Sequence, residues 1–146
     1  MISGEVFDII ITDELAHRHS ARPNYLEEKL AFRNPADDMA NNPKDVLPRL
    51  VRLAMDACGA KPAGFSILDH RDKEFRWFAL HGSLAAFEGT RTPLDFSPCG
   101  VTLAMNSPVP MMHPETVYGW IRDAGISIPE VLLVPLQLRH PRKPKP

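Results

Sequence analysis

The chain is most informative first in what it lacks. It has only two cysteines, Cys58 and Cys99, far apart and without metal spacing. That excludes a disulfide framework and a cysteine zinc site. No apolar run approaches the ~18 residues of a membrane span. Neither sign of charge dominates: 17 Lys and Arg face 18 Asp and Glu, for a net charge of -1. Nothing there argues for nucleic acid or an anionic membrane surface as partner. No internal repeat is visible. Met1 to Thr12 holds Val6-Phe7 and Ile9-Ile10-Ile11, but Asp8 interrupts the run and no basic segment precedes it. It does not read as a signal peptide. A cytoplasmic protein with two reduced thiols is the expectation.

What is present suits one domain of 146 residues, 44% of them hydrophobic, with fifteen prolines crowded into turns and the C-terminus. Residues 1 to 22 read as a weakly structured lead-in, with Val6 to Ile11 as a short strand. His17 and His19 form a His-x-His pair, but no third ligand stands nearby. Tyr25 to Phe32 is a helical run that Pro35 should stop. Asp45 to Cys58 is the clearest helix. Its polar positions Asp45, Arg49, Arg52 and Asp56 form a narrow stripe, which predicts a largely buried helix N-capped by Asp45. Gly59 is placed to end it.

Ala63 to Asp69 and Glu74 to His81 have the length and composition of strands. The polar His70-Arg71-Asp72-Lys73 joins them as an antiparallel hairpin. Both faces of the second strand are apolar: Phe75, Trp77 and Ala79 on one, Phe78 and Leu80 on the other. Each face should therefore be covered. A short helical turn is expected within Gly82 to Gly89, and a loop from Thr90. In Asp95-Phe96-Ser97-Pro98-Cys99-Gly100, Ser97 is a good N-cap and Pro98 a good first helical residue. The helix should run from Pro98 to Met105. Val109 to Met112 reads as a strand, Pro114 or Glu115 as the start of a short helix ending near Gly125, and Val131 to Leu138 as a strand that Pro135 confines to an edge or a bulge. Arg139 to Pro146 reads as a basic, Pro-rich, disordered tail. The order indicates an α+β fold with a mainly antiparallel sheet.

Several stretches together resemble a known family. They are Asp45-Val46-Leu47-Pro48-Arg49-Leu50-Val51, Cys58-Gly59-Ala60, Ala63-Gly64-Phe65-Ser66-Ile67-Leu68, Phe75-Arg76-Trp77, Asp95 to Gly100, His113-Pro114-Glu115 and Val131 to Leu136. Thr12-Asp13-Glu14-Leu15 and Arg22-Pro23 fit its lead-in. In order, they resemble the GAF domain, the small-molecule sensor module of bacterial signalling, of the type that precedes sensor histidine kinases. The resemblance spans Thr12 to Leu138. It implies an incomplete GAF-like domain over residues 23 to 138: helices on one sheet face, a pocket of short helices and loops on the other, and no final strand or closing helix. A sheet missing that strand would pair abnormally, dimerise through an open edge or fold poorly. No His-box or ATP-binding motif follows, so a histidine kinase or other output domain would be encoded separately.

The candidate ligand-binding residues are Phe65, Trp77, Phe96, Cys99, His113 and Trp120. The aromatics suit a planar ligand, or equally an ordinary core. Cys99 lies on the positive end of a helix dipole, which favours a thiolate, whereas Asp95 opposes one. Some relatives attach a bilin to a cysteine and others reduce free methionine sulfoxide. The alternative is that Cys99 packs as a small hydrophobe. His113 fits a haem-ligand role or a surface turn, and His81 is similar. The Tyr25 to Phe32 helix is the better homodimer candidate. A small-molecule sensor is the leading function, with a ligand-free dimerisation module and a Cys99-dependent reductase as rivals.

Overall fold

The computed structural model describes residues 2–20, 22–30 and 41–136. The chain is α+β, with two small antiparallel sheets. It divides into two compact units, Met1–Arg18 with Asp95–Pro146, and His19–Leu94.

The second unit is built on the expected hairpin. Strand β1 (Ala63–Asp69) pairs with β2 (Glu74–His81), and β2 with β3 (Arg91–Pro93), in the order β1-β2-β3. Asp69 Oδ1 accepts from the Arg71 N–H at 2.9 Å and fixes the turn. The third strand occupies what reads in sequence as loop. It is three residues long and ends in proline, too short for any periodicity to reveal.

Alternation along β2 breaks near its end. Ala63 pairs with His81 but Phe65 with Phe78, so Ala79 and Leu80 together face Gly64 in a bulge. Ala79 has φ 54°. Its N–H and that of Leu80 donate to the two carboxylate oxygens of Glu88, each at 2.8 Å. A Cβ on Gly64 would lie 2.1 Å from Leu80 Cδ2, so a side chain there would have to displace that of Leu80. The bulge puts Ala79 and Leu80 both inside, where strict alternation predicts opposite faces.

The helix Val46–Cys58 packs on β1 and β2 and ends at Gly59, at φ 63°, as expected. Its burial departs from expectation. Only Val51 is buried, and Ala54, Ala57 and Cys58 are exposed along with the polar stripe. Asp45 stands at the N-cap position without a side-chain cap, because Pro43–Asp45 is already a 3-10 turn and gives Asp45 helical backbone angles.

In the first unit, β4 (Val109–Met112) pairs with β5 (Glu130–Leu133). On the other side of β4, Ile10 bridges Met111, and the Ile11 N–H donates to the Pro110 carbonyl at 3.1 Å. The expected strand over Val6 to Ile11 is thus a helix, Gly4–Ile9, followed by the extended Ile10, then Ile11 and a helix, Thr12–Ala16. Val6 and Ile11 are buried, so this lead-in carries core residues. The core also holds Val109, Met111, Tyr118, Ile121 and Ile126. Arg18 ties this start to β5 through both carboxylate oxygens of Glu130, at 2.8 and 2.9 Å, and it also meets Glu14. The pairing raises the Arg18 pKa and holds the Glu130 carboxyl below its ordinary value.

Instead of the one mainly antiparallel sheet expected, there are two. β5 stops at Leu133, where Val131 to Leu138 was expected, and Pro135 supplies no N–H to carry a ladder further. Residues 25–30 are helical as expected; Phe32, Pro35, Leu138 and the basic tail lie outside the described residues. No helix of the described residues is long and apolar enough to cross a membrane.

Candidate functional site

The register of the hairpin separates two of the candidate residues. Ser66 is directly opposite Trp77, and Phe65 opposite Phe78. Phe65 and Trp77 therefore project from opposite faces of the sheet. The Trp77 face also carries Leu68, Phe75 and Thr92, with Phe75 directly opposite both Leu68 and Thr92. Phe75 is among the most buried side chains of the chain, and Thr92 is 1% exposed. The opposite face presents Phe65, Ile67, Arg76 and Phe78, and there Ile67 and Phe78 stay exposed. The expectation that both faces are covered thus holds for one.

The buried face holds two hydroxyls in an unusual state. Ser66 Oγ and Thr92 Oγ1 are buried and have no hydrogen-bond partner among the described residues. A buried, unsatisfied hydroxyl costs about 1–3 kcal/mol. Two on one sheet face, beside an indole, are the polar points an apolar pocket needs to orient a ligand.

The other four candidates lie in the first unit. Ser97 caps the helix Pro98–Met105, its Oγ accepting from the Gly100 N–H at 3.2 Å. Cys99, half-buried, follows in the first turn. Phe96 packs edge-on against Tyr118, with centroids 5.2 Å apart and planes at 61°. The Trp120 Nε1–H donates to the Phe96 carbonyl at 3.0 Å. Phe96, Tyr118 and Trp120 thus form one cluster, and Cys99 interacts electrostatically with Tyr118. Tyr118 is 1% exposed and its hydroxyl has no hydrogen-bond partner among the described residues. Burial, with the Cys99 thiol adding to it, pushes the phenol up to about 12. No sequence signal singled Tyr118 out; one buried tyrosine among apolar residues looks like any core aromatic.

His113 stands apart from this cluster chemically. It adopts φ 49° at the start of the Pro114–Thr116 turn, and its ring nitrogen Nδ1 lies 3.2 Å from Glu115 Oε1. Its carbonyl accepts from the Thr116 N–H and hydroxyl. This is the surface-turn arrangement. Burial pushes the Glu115 carboxyl up, but backbone N–H groups and His113 hold it below its ordinary value on balance. Cys58 is exposed at the end of its helix, in the other unit from Cys99. No three His, Cys, Asp or Glu side chains are grouped to hold a metal ion among the described residues, His17 and His19 included.

No family model, curated protein or solved structure matches the chain.

Proposed function

We propose that the chain is a GAF-type sensor module of cytoplasmic signalling that binds a small molecule over the Trp77 face of its three-stranded sheet. The observation that carries the reading is the pair of buried, unpartnered hydroxyls, Ser66 Oγ and Thr92 Oγ1, on that face. A ligand with hydrogen-bonding edges and a planar body would satisfy both and stack near Trp77. Tyr118, with its own unpartnered hydroxyl beside Cys99 and Phe96, offers a second such point in the other unit. Ligand binding would bias the module between two states, which an output domain such as a histidine kinase would read. Bilins, haem and cyclic nucleotides are the ligand classes to try.

The test is a thermal-shift panel of those three classes on the wild-type protein and on Thr92→Val. The substitution conserves shape and deletes the orphan hydroxyl. The reading expects one class to raise the wild-type melting temperature, and the variant to lose that response while remaining at least as stable. A panel that shifts nothing, or a shift that Thr92→Val leaves intact, removes the reading.

A second reading is a dimerisation module without ligand. It is favoured by the exposure of Leu132, Val134 and Leu136, which alternate along β5 and its continuation.

A further inference from the structure

The exposed face of the three-stranded sheet carries an arrangement that the sensing reading does not use. Ile67, Arg76 and Phe78 stand there, and with Leu68, Asp69, His70 and Arg71 they line an open groove of about 670 Å³. Ile67 is 48% exposed and Phe78 40%. Two large apolar side chains on one strand pair form a patch of the kind that marks an interaction surface.

The charges around it are out of balance. Arg76 lies directly opposite Arg91 on the neighbouring strand, a like-charge pair that is unfavourable by itself. Arg91 is compensated, at 3.3 Å from both Asp72 and Glu74, and this pairing raises its pKa. Asp69 Oδ1 is engaged by the hairpin turn. Arg71 and Arg76 have no ion-pair partner among the described residues. The groove therefore offers apolar contact flanked by two guanidinium groups and one carboxylate, Asp69, for a net positive charge, and it is too open to enclose a small molecule. It fits an acidic, apolar segment laid across it.

Such a segment exists on the chain. Residues 25–30 are helical, begun by Asn24, whose Oδ1 accepts from the Glu27 N–H at 3.2 Å. Leu26 and Leu30 share a helix face at i,i+4 spacing and are 67% and 52% exposed. Glu27 borders that face on one side, one residue after Leu26, and Lys29 borders it on the other, one residue before Leu30. The Glu27 carboxylate has no ion-pair partner among the described residues. The groove, with Arg71 and Arg76 against Asp69, has a net positive rim; the helix, with Glu27 and Glu28 against Lys29, has a net negative one.

We propose that the helix at residues 25–30 of one copy docks in the Ile67–Arg76–Phe78 groove of a second copy, with Glu27 meeting Arg76 and the leucines covering Ile67 and Phe78. Because each chain carries both surfaces, a reciprocal exchange about a two-fold axis would make both contacts at once and close the assembly. The interface is at the small end of specific contacts, so the dimer is weak and reversible.

Sedimentation velocity on the full chain over a wide concentration range tests this, using wild type, R76E and E27R. Wild type is expected to dimerise reversibly, and more weakly as salt is raised. Each variant alone places like charges together in both contacts and should weaken dimerisation about tenfold or more. Mixed in equal amounts, R76E and E27R present opposite charges at both contacts, and the mixture should dimerise as wild type does. A wild type that stays monomeric throughout, variants that dimerise undiminished, or a mixture that fails to recover would each overturn the proposal. R71E, on the hairpin turn outside the strand ladder, replaces R76E if the latter loses its far-ultraviolet signal. These outcomes are independent of whether any ligand shifts the melting temperature.

Discussion

Glu88 carries more of the sheet than its exposed position suggests, and the cost of losing it follows from its contacts. The bulge opposite Gly64 turns the N–H groups of Ala79 and Leu80 away from β1, and both residues are buried. The Glu88 carboxylate accepts from both at 2.8 Å, one oxygen each. Hydrogen bonds to a charged group contribute ~1.5–3 kcal/mol apiece when shielded. Glu88 is itself exposed, so solvent screening reduces that by about half. Glu88→Ala should therefore destabilise the fold by ~1.5–3 kcal/mol, a large share of a typical total of ~5–15 kcal/mol. Glu88→Gln keeps one acceptor but aims its NH2 group at the second N–H, a donor against a donor. It should cost roughly 1–2 kcal/mol. Urea denaturation gives the free energies, and amide exchange locates the effect. In both variants the Ala79 and Leu80 amides should lose protection before the rest of β2. If both variants lie within ~0.5 kcal/mol of wild type, as an ordinary surface substitution would, the carboxylate does not hold the bulge and the reasoning fails.

Tyr118 gives an alkaline signature. Its folded pKa is raised from 10.0 to about 12, so its contribution to stability is complete below pH 10 and is lost as pH rises from there to about 12. Ultraviolet titration should show one tyrosine ionising near 12, and melting temperature should fall over the same window more steeply in wild type than in Tyr118→Phe. Ser97→Ala removes a buried cap and should cost ~0.5–2 kcal/mol by chemical denaturation, whereas Ser97→Asp, which still caps, should keep part of it. Gly82→Ala should be the most damaging of these changes, at least ~2 kcal/mol, because at φ 72° its Cβ would lie 2.0 Å from the Lys61 carbonyl oxygen. A Gly82→Ala protein melting within a degree or two of wild type would contradict that backbone path.

What was legible in the sequence was what neighbouring residues decide between themselves. The hairpin follows from two β-rich runs around a polar turn, and Ser97-Pro98 fixes the start of its helix. Gly59 and Asn106 end two helices in the left-handed region, where a short or absent side chain is favoured. What was not legible depended on distant partners. Val6 to Ile11 has strand composition, but only Ile10 and Ile11 reach β4, and the rest coils into a helix. The burial of Ala79 beside Leu80 depends on Glu88, several residues ahead, whose reach no periodicity announces. The aromatics stand out in the sequence as candidates, whereas the unpaired hydroxyls do not. Ser66, Thr92 and Tyr118 stand apart because nothing among the described residues pairs their hydroxyls, a property no single residue displays.

The two faces of the β1–β3 sheet also constrain each other. Ser66 and Trp77 point to one side while their immediate neighbours Ile67, Arg76 and Phe78 point to the other, so any displacement of these strands is felt on both. A ligand on the buried face and a second copy on the exposed face would then share one mechanical element. Linkage makes the coupling reciprocal: if ligand tightens the dimer by some factor, dimerisation must tighten ligand binding by the same factor. For a ligand class that raises the melting temperature, the affinity should therefore differ between wild type above its dimer concentration and monomeric R76E. Equal affinities in the two would mean that the faces act independently, and that a signal must leave the ligand site by a route other than the sheet.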